Sequence, residues 1–344
     1  MLSVVFEGHS LLRVVDAPEP KAAQGEALLL VNYTGVCGSD LTLYAGKNPR
    51  AKLPVIPGHE FSGTVVEISG GSGDAAPRRG VEASARVAVL PTVTCGVCDL
   101  CMSGHAHLCR SLRFLGIQMN GSMTKLVAAP VANLYPVPPT VSDEQAALTE
   151  PIAVAVHAVR RARIQVGDPV LVVGAGPIGL LVALVSRMSG CRRVLITEVA
   201  RERIAIAEGF GFETLRVEPG ESVLDLARRL EGFEPEVLFE CTGHPSATAQ
   251  MIELARFTGQ VVIVGAFKEA APVDLFRLSR KELSVTGSFA YGAEDFARAL
   301  ALLGDEPSLF GKLITHVLPL DRAQEAMDLM IGGKCVKVLL KSPQ

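Results

Sequence analysis

The sequence predicts an α/β protein: a β-rich part, then a doubly wound parallel sheet of six strands, then a short return segment. Three observations lead there. From residue 169 to 289 apolar strands alternate regularly with helices, the rhythm of repeated strand–helix–strand units. Before residue 150 that rhythm is missing, and short β-rich runs are separated by Pro and Gly. Where the alternation begins, Gly174-Ala175-Gly176-Pro177-Ile178-Gly179 follows a Val/Leu strand and opens an apolar helix.

The elements follow in order. LLRVVD, EALLLVNYTG, GTVVEIS and ARVAVL read as strands of the first part. An apolar helix is predicted over 152–163, just after Thr149-Glu150-Pro151. Buried strands are then expected at 169–176, 192–198, 214–217, 236–243, 260–267 and 282–289. Helices are expected at 177–190, 200–211, 221–232 and 245–257. The tail holds two helices, AEDFARALALLG and DRAQEAMDLMIGG, and ends in the strand CVKVLLKS. The expected domains are 1–151, 152–289 and a return at 290–344.

Composition sets the class. The chain has 344 residues, 49% hydrophobic and 20% charged, with a net charge of −3. That balance offers no field for nucleic acid or an acidic membrane. The basic cluster Arg160, Arg161 and Arg163 reads as a solvated helix end. The start, MLSVVFEGHSLLRVVD, lacks a basic segment followed by a long apolar run. Apolar stretches such as LLVALVS are too short to span a bilayer. A cytoplasmic protein is expected, in which clustered cysteines bind metal more readily than they form disulfides.

The glycine motif reads as a dinucleotide site because it sits in the strand-to-helix context that the chemistry needs. Gly174 permits the tight turn, Gly176 lets the backbone approach a pyrophosphate, and Gly179 lets helix and strand pack closely. Pro177 and Ile178 open the helix whose free N–H groups face the phosphates. Glu198 ends the next strand, 22 residues beyond Gly176. A carboxylate there accepts from ribose hydroxyls and repels a 2′-phosphate, so NAD is favoured over NADP. Arg203 is placed to lie by the adenine or ribose, and with Arg201 it leaves room for NADP. Val264, Gly265, Ala266, Ser288 and Phe289, near the carboxyl ends of the last two strands, are further candidate cofactor contacts.

Two metal sets stand out. Cys95, Cys98, Cys101 and Cys109 are spaced x2, x2, x7. Four thiolates fill a tetrahedral zinc and leave no position for substrate, so this set is structural. An iron–sulfur cluster would want a shorter last gap and a following Pro, where Arg110 stands. His105 and His107 then read as loop surface. The second set is scattered: Cys37, His59, Glu60 and Glu150. One thiolate, one imidazole and one carboxylate would leave a fourth position open, as catalytic zinc requires.

Together GVCGSD, PGHEFSGTVVEIS, the four-cysteine lobe, LTEPIAVAVHAV, VVGAGPIGLL and KELSVTGSF resemble the zinc-dependent medium-chain dehydrogenases, nearest the sorbitol and threonine dehydrogenase branch. The resemblance covers essentially the whole chain. It implies a GroES-like catalytic domain, a Rossmann domain, and a C-terminal return to the former. It implies two zincs, with Cys37, His59 and either Glu60 or Glu150 on the catalytic one. It implies oxidation of a secondary alcohol with hydride transfer to NAD. Ser39 matches the hydroxyl beside the metal, and Thr42 stands where relatives often carry a histidine, so a proton relay would run through Thr42, ribose or water. His157 reads as helix packing. The resemblance also implies a homo-oligomer, dimer or tetramer.

The substrate stays open. Tyr44, Ile117 and Tyr291 are candidate pocket residues. The Arg-Tyr pair of sorbitol dehydrogenases is Ala290-Tyr291 here, and the usual GGFAEY reads GSMTKL. A polyol, cyclitol, diol or sugar-acid alcohol all remain, and threonine has no identified carboxylate or ammonium partner. Two other classes compete. A zinc-ribbon binding module would want basic and aromatic neighbours, but Asp99 opposes Arg110 and Arg113 around the lobe. A silent NADH-binding relative would have lost the catalytic metal set, whose four residues are present.

Overall fold

The computed structural model describes residues 1–70, 80–333 and 335–343. The chain divides into two compact units, Met1–Ala153 with Gly292–Gln344, and Val154–Tyr291.

The first unit opens with a hairpin of β1 (Leu2–Gly8) and β2 (Leu11–Asp16). The next strands are β3 (Glu26–Gly35), β4 (Glu60–Ile68), β5 (Arg86–Val89), β6 (Thr92–Val93), β7 (Arg113–Phe114), β8 (Leu126–Pro130) and β9 (Leu134–Pro136). The second unit contributes β10 (Pro169–Val173), β11 (Arg193–Glu198), β12 (Glu213–Arg216), β13 (Val237–Glu240), β14 (Gln260–Ile263) and β15 (Ser284–Gly287). Back in the first unit come β16 (Ile314–Pro319) and β17 (Lys337–Lys341).

In the first unit a seven-stranded sheet runs β16-β17-β3-β4-β5-β9, with β8 also on β3. Its core follows from alternation. Ala27, Leu29 and Val31 of β3 point inward onto Phe61, Val65, Val87, Val127 and Leu134. The tail completes this sheet: β17 pairs antiparallel with β3, setting Leu339 opposite Gly35. A second cluster under β1 joins Phe6, Tyr44 and Met123 to Met327 and Val338.

The second unit is a parallel sheet of six strands, ordered β12-β11-β10-β13-β14-β15. The order reverses beside β10, and the crevice at such a switch point is where open α/β sheets bind ligands. β10 is Val/Leu-rich because helices cover both faces of a central parallel strand. The helix Pro177–Met188 that follows it is buried from Gly179 to Ser186.

Four predicted strands run too long: β10 ends at Val173, before the glycine loop, and three others also stop early. β13, β14 and β15 end at Glu240, Ile263 and Gly287, although apolar and small residues continue. After Glu240 the chain turns: Gly243 has φ +63°, and the N–H groups of Thr242 and Gly243 leave the ladder for the Glu240 carboxylate. The helix predicted over 152–163 starts earlier, at Thr149. Glu150 and Pro151 suit its first turn, where an acid meets free N–H groups and a missing N–H costs nothing. The helices Gly38–Tyr44 and Leu275–Arg280 and the strands β1 and β16 are additions to the sequence reading. Among the described residues no helix is long and apolar enough to cross a membrane.

Candidate active site and cofactor site

Backbone pairing builds the first site. β3 and β4 pair so that Gly35 faces Glu60. This brings Cys37, two residues past the end of β3, to His59, one residue before β4. Glycine at 35 leaves room for the carboxylate, since a Cβ there would stand 2.2 Å from Glu60 Oε2. Gly58 turns the chain before His59 with φ +98°. Cys37 N-caps the helix Gly38–Tyr44, and its N–H donates to Asp40 Oδ2 at 2.9 Å.

One donor atom each of Cys37, His59 and Glu60 lies within 4.8 Å of the others. Glu150, the fourth candidate, does not join that group, although it is buried and its charge bears on His59. Ser39 Oγ stands 3.3 Å from His59 Nε2, and Thr42 follows half-buried on the same helix.

Two residues act here that sequence reasoning left unassigned. Asp40, 1% exposed, brings Oδ1 to 3.7 Å from His59 Nδ1. No hydrogen bond joins the two, so the carboxylate acts on the ring through its charge. Its signal was its place in GVCGSD. Lys337, 3% exposed, donates from Nζ to both Glu60 oxygens at 2.6 and 2.8 Å. Its signal was a lysine at the start of a strand whose next three residues are apolar.

The electrostatics suit a cation. Burial works against a charged His59, yet the negative charge of Asp40, Cys37 and Glu150 outweighs it and holds the imidazole pKa well above its usual value. Burial pushes the Asp40 carboxyl up, with His59 pulling it back. Neither Asp40 Oδ1 nor His59 Nδ1 has a hydrogen-bond partner, though both are buried. A closely set thiolate, imidazole and carboxylate fit Zn²⁺, and three protein donors leave one position open.

The four cysteines form the second metal site. Neighbouring sulfurs are 3.5–3.9 Å apart. Four sulfurs at about 2.3 Å from one zinc would be about 3.8 Å apart, so the spacing fits a closed tetrahedron. The backbone N–H groups of Arg110 and Cys101 bring the Cys98 thiol down to about 6. Burial and the neighbouring Cys98 push Cys101 up to about 11. Four such thiols ionise together only around a cation. The lobe has little core of its own: Val97 and Met102 are 80% and 75% exposed.

In the second unit the surroundings of the three glycines differ. Gly174 has φ +101°, and a Cβ on it would meet Thr242 Cγ2 at 2.7 Å. A Cβ on Gly179 would stand 1.9 Å from Gly174 O. A Cβ on Gly176 would meet nothing within 4 Å. Its φ is −67°, so neither packing nor backbone requires glycine there. The open space fits a ligand's approach to the following helix. Glu198 Oε2 accepts from Ala175 N at 2.8 Å, and Oε1 accepts from Val199 and Ala200 N–H groups. Arg203 lies 3.7 Å from Glu198.

The profile of the alcohol dehydrogenase GroES-like domain matches residues 23–139, and that of the zinc-binding dehydrogenase domain matches 177–305. A sorbitol dehydrogenase of Halalkalibacterium halodurans is 35% identical over 97% of this chain and 96% of its own length. The chain belongs to the zinc-dependent medium-chain dehydrogenases. A 2-dehydro-3-deoxy-L-galactonate 5-dehydrogenase of Pseudoalteromonas atlantica is 33% identical over 97% of this chain and 96% of its own. The crystal structure of a zinc-binding dehydrogenase from Sinorhizobium meliloti bound to NADP superimposes with a TM-score of 0.89 at 29% identity, covering 99% of this chain and 98% of that one. The chain is therefore an oxidoreductase that uses zinc and a nicotinamide dinucleotide.

Two of the substrate candidates are buried. Tyr44 belongs to the core under β1, its ring 5.3 Å from Phe6 and its hydroxyl donating to Gln324 Oε1 at 3.2 Å. Tyr291 is 1% exposed, a packed interior side chain. Periodicity in a short helix did not show which face Tyr44 takes. Ile117 stays half-buried, on a turn whose carbonyl accepts from Lys52 N–H.

Proposed function

We propose that the enzyme reversibly oxidises a secondary alcohol of a polyol, cyclitol or sugar acid to a ketone, passing hydride to NAD. The observation that carries this reading is the Cys37–His59–Glu60 donor set, with His59 and Glu60 buried and Cys37 half-buried, in its net-negative setting. Cys37 and His59 hold the catalytic zinc, with Glu60 as the carboxylate nearest them and Glu150 as the alternative. Zinc, when bound, supplies a Lewis acid that makes an alcohol hydroxyl acidic near neutral pH. Ser39 takes the hydroxyl proton, since its Oγ already lies against the His59 ring. Thr42, ribose or water carries it outward. Asp40 lies behind His59, and Lys337 holds the Glu60 carboxylate in place.

The cofactor preference rests on Glu198. A buried carboxylate at the end of β11 accepts from ribose hydroxyls and repels a 2′-phosphate. Glu198→Ala should weaken NAD binding about ten-fold and narrow its advantage over NADP. Equal effects on both cofactors in a binding titration would remove the ribose assignment. The alcohol is tested with zinc-loaded enzyme on sorbitol, inositols, 2,3-butanediol, sugar acids and L-threonine, following NADH absorbance. Turnover on sugar-derived alcohols above the diol and threonine is expected, and no turnover on any secondary alcohol would sink the mechanism.

The protein is also read as cytoplasmic and as a homo-oligomer. Among the described residues β15 pairs on one side only, and Leu275 and Phe276 are 71% and 76% exposed near it in sequence. An open edge beside apolar side chains favours assembly with a second copy. Light scattering that finds only monomer would overturn this.

A further inference from the structure

The strand that carries the glycine loop is flanked by two buried carboxylates, and the cofactor reading uses only one of them. β10 lies between β11 and β13, with Val173 opposite both Thr197 and Glu240. Glu198 grips the loop from one side through Ala175 N–H. Glu240, on the other side, is fully buried. No lysine or arginine pairs with it among the described residues.

The Glu240 carboxylate is occupied by the turn that follows it. Oε1 accepts from Thr242 N at 2.7 Å, from Gly243 N at 3.0 Å and from the Thr242 hydroxyl. Oε2 accepts from Gly243 N at 3.2 Å. The backbone oxygen accepts from Val264 and Gly265 N–H groups, each at 2.9 Å. This turn fills a tight place. Thr242 Cγ2 abuts Gly174, and a Cβ on Gly243 would stand 2.7 Å from Ala266 O. A Cβ on Gly265 would stand 2.5 Å from Glu240 Oε2. The turn thus separates the first glycine of the loop from Gly265 and Ala266, the two backbone segments assigned to the cofactor.

A buried carboxylate with no cationic partner is costly, and packing alone would be served as well by an apolar or amide side chain. What only a carboxylate supplies is two acceptor oxygens with no donor, facing several N–H and O–H donors at once. We propose that Glu240 is a positioning residue for the dinucleotide. It fixes the Thr242–Gly243 turn, and the turn fixes the spacing of Gly174 from Gly265 and Ala266. Cofactor affinity then depends on a residue that does not touch the cofactor.

This rests on the reading that the glycine loop binds the dinucleotide, and the experiment separates the two. Glu240→Gln keeps the shape but turns an N–H₂ group towards donors. Its NADH dissociation constant, measured by calorimetry since the chain has no tryptophan, should rise about ten-fold, the scale of one lost hydrogen bond to a charged group. The NAD/NADP ratio, the zinc content and the KM for alcohol should stay within about two-fold. Thr242→Val, which removes the hydroxyl that donates to Glu240 and accepts from the His244 N–H, should raise the same constant about three-fold, and it carries the test if Glu240→Gln does not fold. Gly176→Asp should abolish binding. If Gly176→Asp abolishes binding while Glu240→Gln or a folded Thr242→Val leaves it unchanged, the glycine-loop reading stands and the role of Glu240 falls. A KM for alcohol rising in step with the KM for NAD would also overturn it, because general loosening would then be the cause.

Discussion

At the scale of single residues, the site is a balance of buried charge. Asp40, Cys37 and Glu150 bring negative charge near His59, and Lys337 is the cation that pairs with Glu60. Removing one partner of a buried pair leaves the other uncompensated. Lys337→Met should therefore lower stability by about 3–5 kcal/mol, read from the midpoint of urea unfolding. A loss below about 1 kcal/mol would show that Glu60 needs no such partner. Cys37→Ser should reduce kcat at least about 100-fold while NADH binding is retained. Thr42→His would test the proton route from the other direction. The wild type has no relay histidine at this position, so the variant should add an ionisation near about pH 6.5 to the rate profile. An unchanged profile would place the route elsewhere. Cys37, His59 and Glu60 could be read from short motifs, because their spacing follows from local turns and one strand pairing. Lys337 could not. It meets Glu60 across 277 residues of sequence, and nothing local records that register.

At the scale of elements, the Cys95–Cys109 lobe and the parallel strands show opposite sources of order. The lobe has a four-residue helix with no buried residue, and its sulfurs stand in for a core. Cys98→Ser should weaken zinc in the lobe by more than the roughly 10–100-fold that loss of an outer-shell partner brings. Proteolysis within 95–109 should follow, with the catalytic zinc kept. Loss of both zincs together in metal analysis would refute the independence of the two sites. The strands of the second unit draw their order from burial on both faces, which is why their Val/Leu runs were readable in advance. Their ends were not readable, because β13 stops where a side chain, Glu240, captures the next N–H groups. The helix Gly38–Tyr44 was missed for a related reason. It is seven residues long, starts at a cysteine, and is held by Asp40 reaching back to Cys37 N–H.

For the whole molecule, two zincs per chain are expected, falling to one in Cys37→Ser. A wild-type content of one would point to the silent relative instead. The division into a β-rich unit and a parallel α/β unit was legible, because hydrophobic rhythm changes from one to the other. The closing of the first sheet by β17 was implied only by resemblance, since strand order is a property of the folded chain. That closing strand has a consequence during synthesis. At about 5–20 residues per second, the ribosome delivers Lys337 roughly 15–55 s after Glu60, the 277-residue interval between them. The second unit is translated entirely within that wait. A nascent chain can thus own a finished nucleotide fold while the Glu60 carboxylate still waits for the lysine that pairs with it.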